Sequence, residues 1–262
     1  DTLSQIGLGY GFLYLLALRS ARAQVIALVS ILAGYWLLFA LYPLPGPAFD
    51  WAAAGADQAR MLPGFAAHWS LNTNPAAAFD RWFLNLFPPA HWFKFNAGGY
   101  STLSFIPTLG TMILGLFAGR VLQSGRTDAE KIRWLLAAGV AALGAGWLFG
   151  VTGLCPVVKK IWTPSWVLFS GGWSFLLLAG FYQVMDVWKR QSWGLPLIVV
   201  GMNSIAAYLI AHLWVDFIEQ ALPRHFGRAW FTFAGRAYEP FLFGCAVLLT
   251  EWLILWWMRR NK

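Results

Sequence analysis

The chain has 262 residues, of which 59% are hydrophobic and only 11% are charged. Soluble domains carry about 25% charged residues, and a soluble core cannot hide this much apolar surface, so the composition excludes a soluble protein. The net charge of +8 does not indicate a nucleic-acid partner, since neither a basic stripe nor a nucleic-acid-binding motif accompanies it.

We predict an all-α fold, a polytopic membrane bundle of about seven transmembrane spans, because about 20 apolar helical residues cross a ~30 Å hydrocarbon core. In chain order the predicted spans are 3–18, 23–42, 103–122, 134–151, 165–186, 195–217 and 240–258. Residues 1–262 are expected to form one membrane domain. The chain begins without an initiator methionine or a signal peptide, so we expect it to be the C-terminal part of a longer domain.

Positive charge predicts the orientation, because lysine and arginine concentrate in short cytoplasmic connections. The basic connections contain Arg19, Arg22, Arg120, Arg126, Lys131, Arg133, Lys189, Arg190, Arg259, Arg260 and Lys262. We therefore expect a cytoplasmic C-terminus, with 43–100, 152–164 and 218–239 on the outer side.

The 43–100 segment is too long for a plain loop. Trp82, Phe83, Leu86 and Phe87 recur at helical spacing within it, and two prolines follow at 88–89. This pattern predicts an aromatic, amphipathic insertion that lies in the headgroup layer. The alternative is a lid over a membrane-embedded cavity.

The connection "CPVVKKIWTPSW" at 155–166 places Lys159 and Lys160 between two apolar spans. Positive charge is less expected on the outer side, which makes the pair a candidate for binding an anionic group. The alternative is that both side chains reach out to lipid headgroups.

His212 and Asp216 lie one helical turn apart, so they are weak catalytic candidates as a proton-handling dyad. The alternative is an interfacial ion pair. Glu251 lies near the middle of the last span and should face protein or water. These three residues also leave open a proton-coupled transporter or flippase, although no inverted repeat is visible.

A metal site is not expected. His68, His91 and His225 form no pair at metal-ligand spacing, and two cysteines, Cys155 and Cys245, cannot build a zinc site. We interpret both cysteines as free thiols.

Several stretches resemble the heparan-α-glucosaminide N-acetyltransferase family and its bacterial relatives. They are "DTLSQIGLGYGFLYLLA" at 1–17, "STLSFIPTLGTMILGLFAGRVL" at 101–122, 155–187 and "PLIVVGMNSIAAYLI" at 196–210. The positions that carry the resemblance are Lys159, Trp162, Thr163, Ser165, Gly171, Gly172, Asp186 and Asn203. The chain departs from the family pattern at Ser4, where glutamine is common, and at Gln5, where arginine is common.

The resemblance implies a multi-pass membrane acyltransferase that moves an acetyl or acyl group from acetyl-CoA to an amino sugar or glycan. Candidate substrate-binding or CoA-binding residues are Lys159, Lys160, Trp162, Ser165 and Asn203. The family's catalytic histidine belongs to an early outer loop, upstream of Asp1, so no catalytic residue is carried over.

The same resemblance implies a bacterial inner membrane, with the lipid bilayer and a sugar acceptor as partners and a homodimer as an open alternative. We expect the full-length protein to be the active enzyme and this stretch alone to be inactive. A non-catalytic membrane subunit is the remaining alternative.

Overall fold

A computed structural model describes residues 2–86 and 92–261 of the chain. Within these residues all regular structure is helical, which confirms the predicted all-α class. The α-helices are α1 (Thr2–Ala17), α2 (Ala21–Ala40), α3 (Pro75–Phe83), α4 (Phe105–Gln123), α5 (Asp128–Val151), α6 (Pro164–Phe181), α7 (Leu195–Met202), α8 (Ser204–Leu209), α9 (Val215–Phe226) and α10 (Glu239–Arg260).

Six helical runs in the described residues are long and apolar enough to cross a bilayer. They are Ala21–Ala40, Thr102–Gln123, Asp128–Val151, Pro164–Val187, Ser204–Phe226 and Arg236–Arg260. Two shorter apolar helices, Leu3–Ala17 and Ser192–Met202, accompany them. The protein is therefore a helical membrane protein, while the count of seven spans stays a prediction.

The outer faces of the helices are apolar, as a bilayer requires. Leu8, Val29, Trp147 and Leu177 are each more than half exposed. In water such a surface would be costly, whereas lipid chains solvate it without penalty. The bilayer is therefore the natural solvent of these helices.

Local sequence explains where the main helices begin. The Thr127 side chain and the Glu130 side chain form a capping box at the start of α5. The Thr163 hydroxyl accepts a hydrogen bond from the Trp166 backbone N–H, and Pro164 occupies the first turn of α6. Both arrangements satisfy backbone donors that a helix leaves unpaired at its N-terminus.

The chain divides into two compact units, residues 1–183 and 184–262. Unit 1 has a core at the level of its helices, made by Leu28, Leu109, Ile113, Leu114, Ala118, Leu135, Val167, Phe175 and Ala179. The single membrane domain expected from the sequence stays a prediction.

Helices α5 and α6 approach each other closely enough for their backbones to touch. A Cβ atom on Gly146 would lie 2.6 Å from the Phe169 backbone nitrogen, and one on Gly172 would lie 2.5 Å from the Leu143 backbone nitrogen. Only glycine fits at such positions, so these residues set the distance between the two helices.

A second core in unit 1 attaches two long connections to the end of α2. The Tyr35 hydroxyl donates to the Ile161 carbonyl at 2.9 Å, and the Trp36 indole N–H donates to the Leu154 carbonyl at 2.8 Å. Trp69, from the 43–101 segment, is buried in the same cluster. The 43–101 segment and the 152–163 loop therefore lie at one end of the unit 1 bundle, which we call the loop end.

Unit 2 has its own small core, formed by Val199, Ile210, Ile218, Val247 and Leu255. The predicted span 195–217 is not continuous: Asn203, with φ −126° and ψ 38°, ends α7 and precedes α8. An asparagine side chain competes with the helical hydrogen bonds, which explains the break at this residue. The long apolar run accordingly begins at Ser204 and continues to Phe226.

Candidate functional site

The 152–163 loop is held rigid by two buried hydroxyls. The Thr163 hydroxyl donates to the Pro156 carbonyl at 2.8 Å and accepts from the Val158 backbone N–H at 3.0 Å. The Ser165 hydroxyl lies 3.0 Å from the Thr163 hydroxyl and donates to the Pro156 carbonyl oxygen at 2.8 Å. Both side chains are fully buried, so Ser165 supports the loop from inside.

Cys155 lies beneath the same network. The Ser165 hydroxyl is 3.4 Å from its sulfur, and burial raises the pKa of the thiol. A buried, protonated thiol is a poor nucleophile. Cys155 and Cys245 are both free, as the sequence predicted.

Trp162 faces the protein core. Its indole N–H donates to the Thr111 hydroxyl at 3.0 Å, and its ring meets Trp166 edge-on at 6.3 Å between centroids. Its backbone has φ +51°, a left-handed conformation that is unusual for a large side chain. A role for Trp162 in substrate binding stays a prediction.

Lys160 lies beside the end of the 43–101 segment, next to Tyr100. Its ammonium nitrogen lies 6.0 Å from the centre of the Tyr100 ring, and its carbonyl oxygen lies 3.4 Å from the Ser104 hydroxyl. Lys159 is exposed. The loop therefore directs Lys160 toward the end of the 43–101 segment.

Next to Tyr100 lies a polar cavity of about 250 Å³, which we call the Asp80 cavity. Its lining consists of Ser4, Gln5, Leu8, Asp80, Leu84, Phe93, Asn96, Tyr100, Ser101 and Thr102. Gln5 and Asp80 are buried, whereas Ser4, Asn96 and Tyr100 are exposed. The cavity thus has a polar floor and an open rim.

Asp80 forms the charged part of this floor. Only 4% of it is exposed, and the Thr102 backbone N–H lies 3.1 Å from each of its carboxylate oxygens. Burial raises the pKa of Asp80, and the hydrogen bonds from Thr102 oppose that change. Within residues 2–86 and 92–261, no lysine or arginine forms an ion pair with this carboxylate.

The stability of the protein is expected to depend on pH through Asp80. Because burial raises its pKa above the ordinary value of 3.8, the folded protein holds this proton more tightly than the unfolded chain. The resulting stabilisation is complete below the ordinary pKa and is lost as the pH rises through the raised one. The midpoint temperature of thermal unfolding should fall as the pH rises from about 4 to about 7, and Asp80→Asn should make this fall smaller. The same dependence of the midpoint on pH in the wild type and in Asp80→Asn would contradict this.

A network of asparagines holds α3, and with it Asp80, in place. The Asn74 side chain accepts from the Ala77 N–H at 3.0 Å and donates to the Ser70 carbonyl at 2.9 Å. Arg81 donates to the Asn72 carbonyl at 3.1 Å. Since these bonds fix the start and the last turn of the helix, the position of the carboxylate is set before any ligand binds.

Sequence reasoning missed Asp80, although a signal was present. Asp80 follows Ala76 by four residues, and both lie on the buried face of α3. A carboxylate on the buried face of an amphipathic helix is unusual and indicates a functional site. The reading of 82–87 as a membrane anchor directed attention to the opposite face, where Trp82 is 60% exposed.

The structure does not bring His212 and Asp216 together as a dyad. His212 stacks on Tyr208 with 4.0 Å between ring centroids, and its Nδ1 lies 2.9 Å from the Tyr208 carbonyl oxygen. Residues Ile210–Trp214 form a π-helical turn, which changes the rotation per residue on which the one-turn spacing depends. The catalytic role of His212 and Asp216 stays a prediction.

The other candidate residues occupy separate places. Asn203 is buried at the helix break in unit 2, and Glu251 is half-buried in α10. His68 Nδ1 lies 2.9 Å from the Tyr42 carbonyl oxygen, and His225 lines an apolar pocket in unit 2.

Phe87, Pro88 and Pro89 of the predicted amphipathic pattern lie outside the described residues, and so does His91. Among the residues that are described, no group of three or more histidine, cysteine or acidic side chains is placed to hold a metal ion.

Comparison with known proteins gives two relatives. The chain is 27% identical over 196 residues to human heparan-alpha-glucosaminide N-acetyltransferase. The matched region covers 70% of this chain and 29% of the human protein. It is 24% identical over 165 residues to the mouse protein of the same name, covering 61% of this chain and 24% of the relative. The chain thus spans less than a third of either protein. No family model matches it, and no solved structure matches it significantly.

Proposed function

This chain is distantly related to the heparan-alpha-glucosaminide N-acetyltransferases, and from that premise we propose that it belongs to a membrane acyltransferase. The enzyme transfers an acetyl or acyl group from acyl-CoA to an amino sugar or glycan acceptor. The similarity over 196 residues, which covers 70% of the chain, is the observation that carries the proposal.

The chemistry requires two binding regions. The donor is a thioester with several phosphates, and the acceptor is a polar amine or hydroxyl that must lose a proton before it attacks the thioester carbonyl. Lys160 offers a positive charge to the anionic donor or to an anionic glycan. The Asp80 cavity, beside it at the loop end, offers a polar site of monosaccharide size.

The proposal is tested with acetyl-labelled acetyl-CoA and a panel of amino sugars, neutral sugars and glycans, using the protein in membranes in the longest form that its gene encodes. We expect labelled acetyl group to appear on an amino-sugar acceptor. If no acceptor becomes labelled and the same vesicles take up a solute in response to a proton gradient, the protein is a transporter instead.

Lys160→Ala is expected to raise the KM for the donor or the acceptor about two- to fivefold, with little change in kcat, because an exposed charge contributes modestly to binding. Lys159→Ala is the matched control and should have the smaller effect, since Lys160 is the one that lies beside Tyr100. Steady-state kinetics at low and high salt check this. Equal effects of the two substitutions would assign the pair to the membrane surface.

A further inference from the structure

We infer that the Asp80 cavity is the acceptor site and that it binds one amino-sugar unit as its protonated, ammonium form. The ammonium group lies against the Asp80 carboxylate, and the hydroxyl groups meet the polar lining around it. The identity of the ligand as a sugar rests on the proposed function. Recognition of a cation by Asp80 rests on the cavity alone.

The charge of the cavity is the first argument. Of its described lining residues, Asp80 is the one with a formal charge, and it is 4% exposed. A buried carboxylate is costly unless a cation or enough hydrogen bonds compensate it. Among the described residues it receives hydrogen bonding from Thr102 and the more distant positive charge of Arg81, which forms no ion pair with it, so a cation that enters the cavity finds a carboxylate that is only partly compensated.

Hydrogen-bonding capacity is the second argument. A carboxylate has about four lone-pair positions, and the Thr102 backbone N–H is shared between the two oxygens of Asp80. An ammonium group carries three donors and no acceptor. The remaining capacity of Asp80 therefore matches an ammonium group better than a neutral hydroxyl.

The rest of the lining suits a sugar ring. Ser4, Gln5, Asn96 and Ser101 supply amide and hydroxyl groups that both donate and accept hydrogen bonds, as the hydroxyls of a sugar require. Phe93 and Tyr100 add two aromatic rings on which the apolar face of a pyranose can lie.

The size of the cavity limits what enters. About 250 Å³ falls just below the range of roughly 300–1,000 Å³ that pockets for drug-sized ligands occupy. The cavity thus fits one monosaccharide unit, while its exposed rim allows the rest of a glycan to extend outward. We place the amine of the terminal sugar at Asp80 and the remaining chain outside.

Binding of glucosamine, glucose and N-acetylglucosamine to the purified protein, measured by calorimetry without any acyl donor, tests the inference. Glucose lacks the amine and N-acetylglucosamine has lost its charge, so both should bind at least about tenfold more weakly than glucosamine. Asp80→Asn should remove this preference. Asp50→Asn is the matched control, because Asp50 also accepts a backbone N–H, from Ala53 at 2.9 Å, but is exposed.

Equal binding of the three sugars to the wild-type protein would overturn the inference, as would an unchanged preference in Asp80→Asn. Absence of measurable binding of any of them would do the same. Because the wild-type comparison needs no variant, the test survives if Asp80→Asn fails to fold. Leu84→Phe, which narrows the cavity and leaves the carboxylate in place, should weaken glucosamine binding; unchanged binding would place the amine elsewhere.

The two proposals fail separately. A protein that prefers glucosamine through Asp80 but labels no acceptor retains the amine site and loses the acyltransferase function. A protein that acetylates amino sugars equally well with Asp80→Asn retains the function and loses this site.

Discussion

Gly146→Ala is expected to destabilise the protein strongly. The added methyl carbon would lie 2.6 Å from the Phe169 nitrogen and 2.7 Å from the Ser165 carbonyl oxygen. Both are backbone atoms of α6, and they cannot rotate away as a side chain can. Separating α5 from α6 to make room should cost about 3 kcal/mol, the upper part of the usual range for overpacking.

Gly144→Ala is the control on the same helix. A Cβ atom there meets nothing within 4 Å, and alanine favours a helix over glycine by up to about 1 kcal/mol. Thermal unfolding in detergent should therefore show a lower midpoint for Gly146→Ala and an unchanged or higher midpoint for Gly144→Ala. Equal midpoints would mean that α5 and α6 do not touch through their backbones.

Thr163→Val should have an effect of similar size. The substitution keeps the shape of the side chain but removes the hydroxyl that bonds to the Pro156 carbonyl and the Val158 N–H and caps α6 through the Trp166 N–H. The Pro156 carbonyl keeps its bond from Ser165, but the Val158 and Trp166 N–H groups lose their partner, and leaving buried polar groups without a partner costs about 1–3 kcal/mol each. We expect a total loss of about 3 kcal/mol, since part of the loop can relax toward water.

Thr152→Val is the matched control, because the Thr152 hydroxyl donates to the Leu148 carbonyl but the side chain is exposed. It should change stability by less than about 0.5 kcal/mol. The two variants are compared by thermal unfolding and by proteolysis of the 152–163 loop. If Thr163→Val unfolds like the wild type, the hydroxyl network does not hold this loop.

Composition and apolar periodicity were sufficient to predict the helical class and most of the long helices. They failed at Asn203, where one polar side chain interrupts a continuous apolar run. The spacing of small residues is by itself a weak guide to close helix contacts. The pairs Gly7–Gly11 and Gly115–Gly119 have the spacing of packing glycines, yet a Cβ on any of the four meets nothing within 4 Å of the described chain.

The site was predictable only in part, for a physical reason. Lys160 was singled out because a charge between apolar runs is visible in the sequence. Asp80 was not singled out, because its role depends on burial by residues that follow it in the chain by about twenty positions, such as Thr102. The pairing of His212 with Asp216 depended on regular helical rotation, which the π-helical turn Ile210–Trp214 interrupts.

Trp162 limits how this loop can change during evolution. Its left-handed backbone, at φ +51°, is a conformation that glycine adopts without cost and tryptophan does not. Glycine would therefore relieve the backbone but forfeit the bond to Thr111, while phenylalanine would keep the backbone cost and lose the same bond. Because both replacements lose the bond to Thr111, we expect sequences of close relatives to retain tryptophan here even where the neighbouring lysines vary.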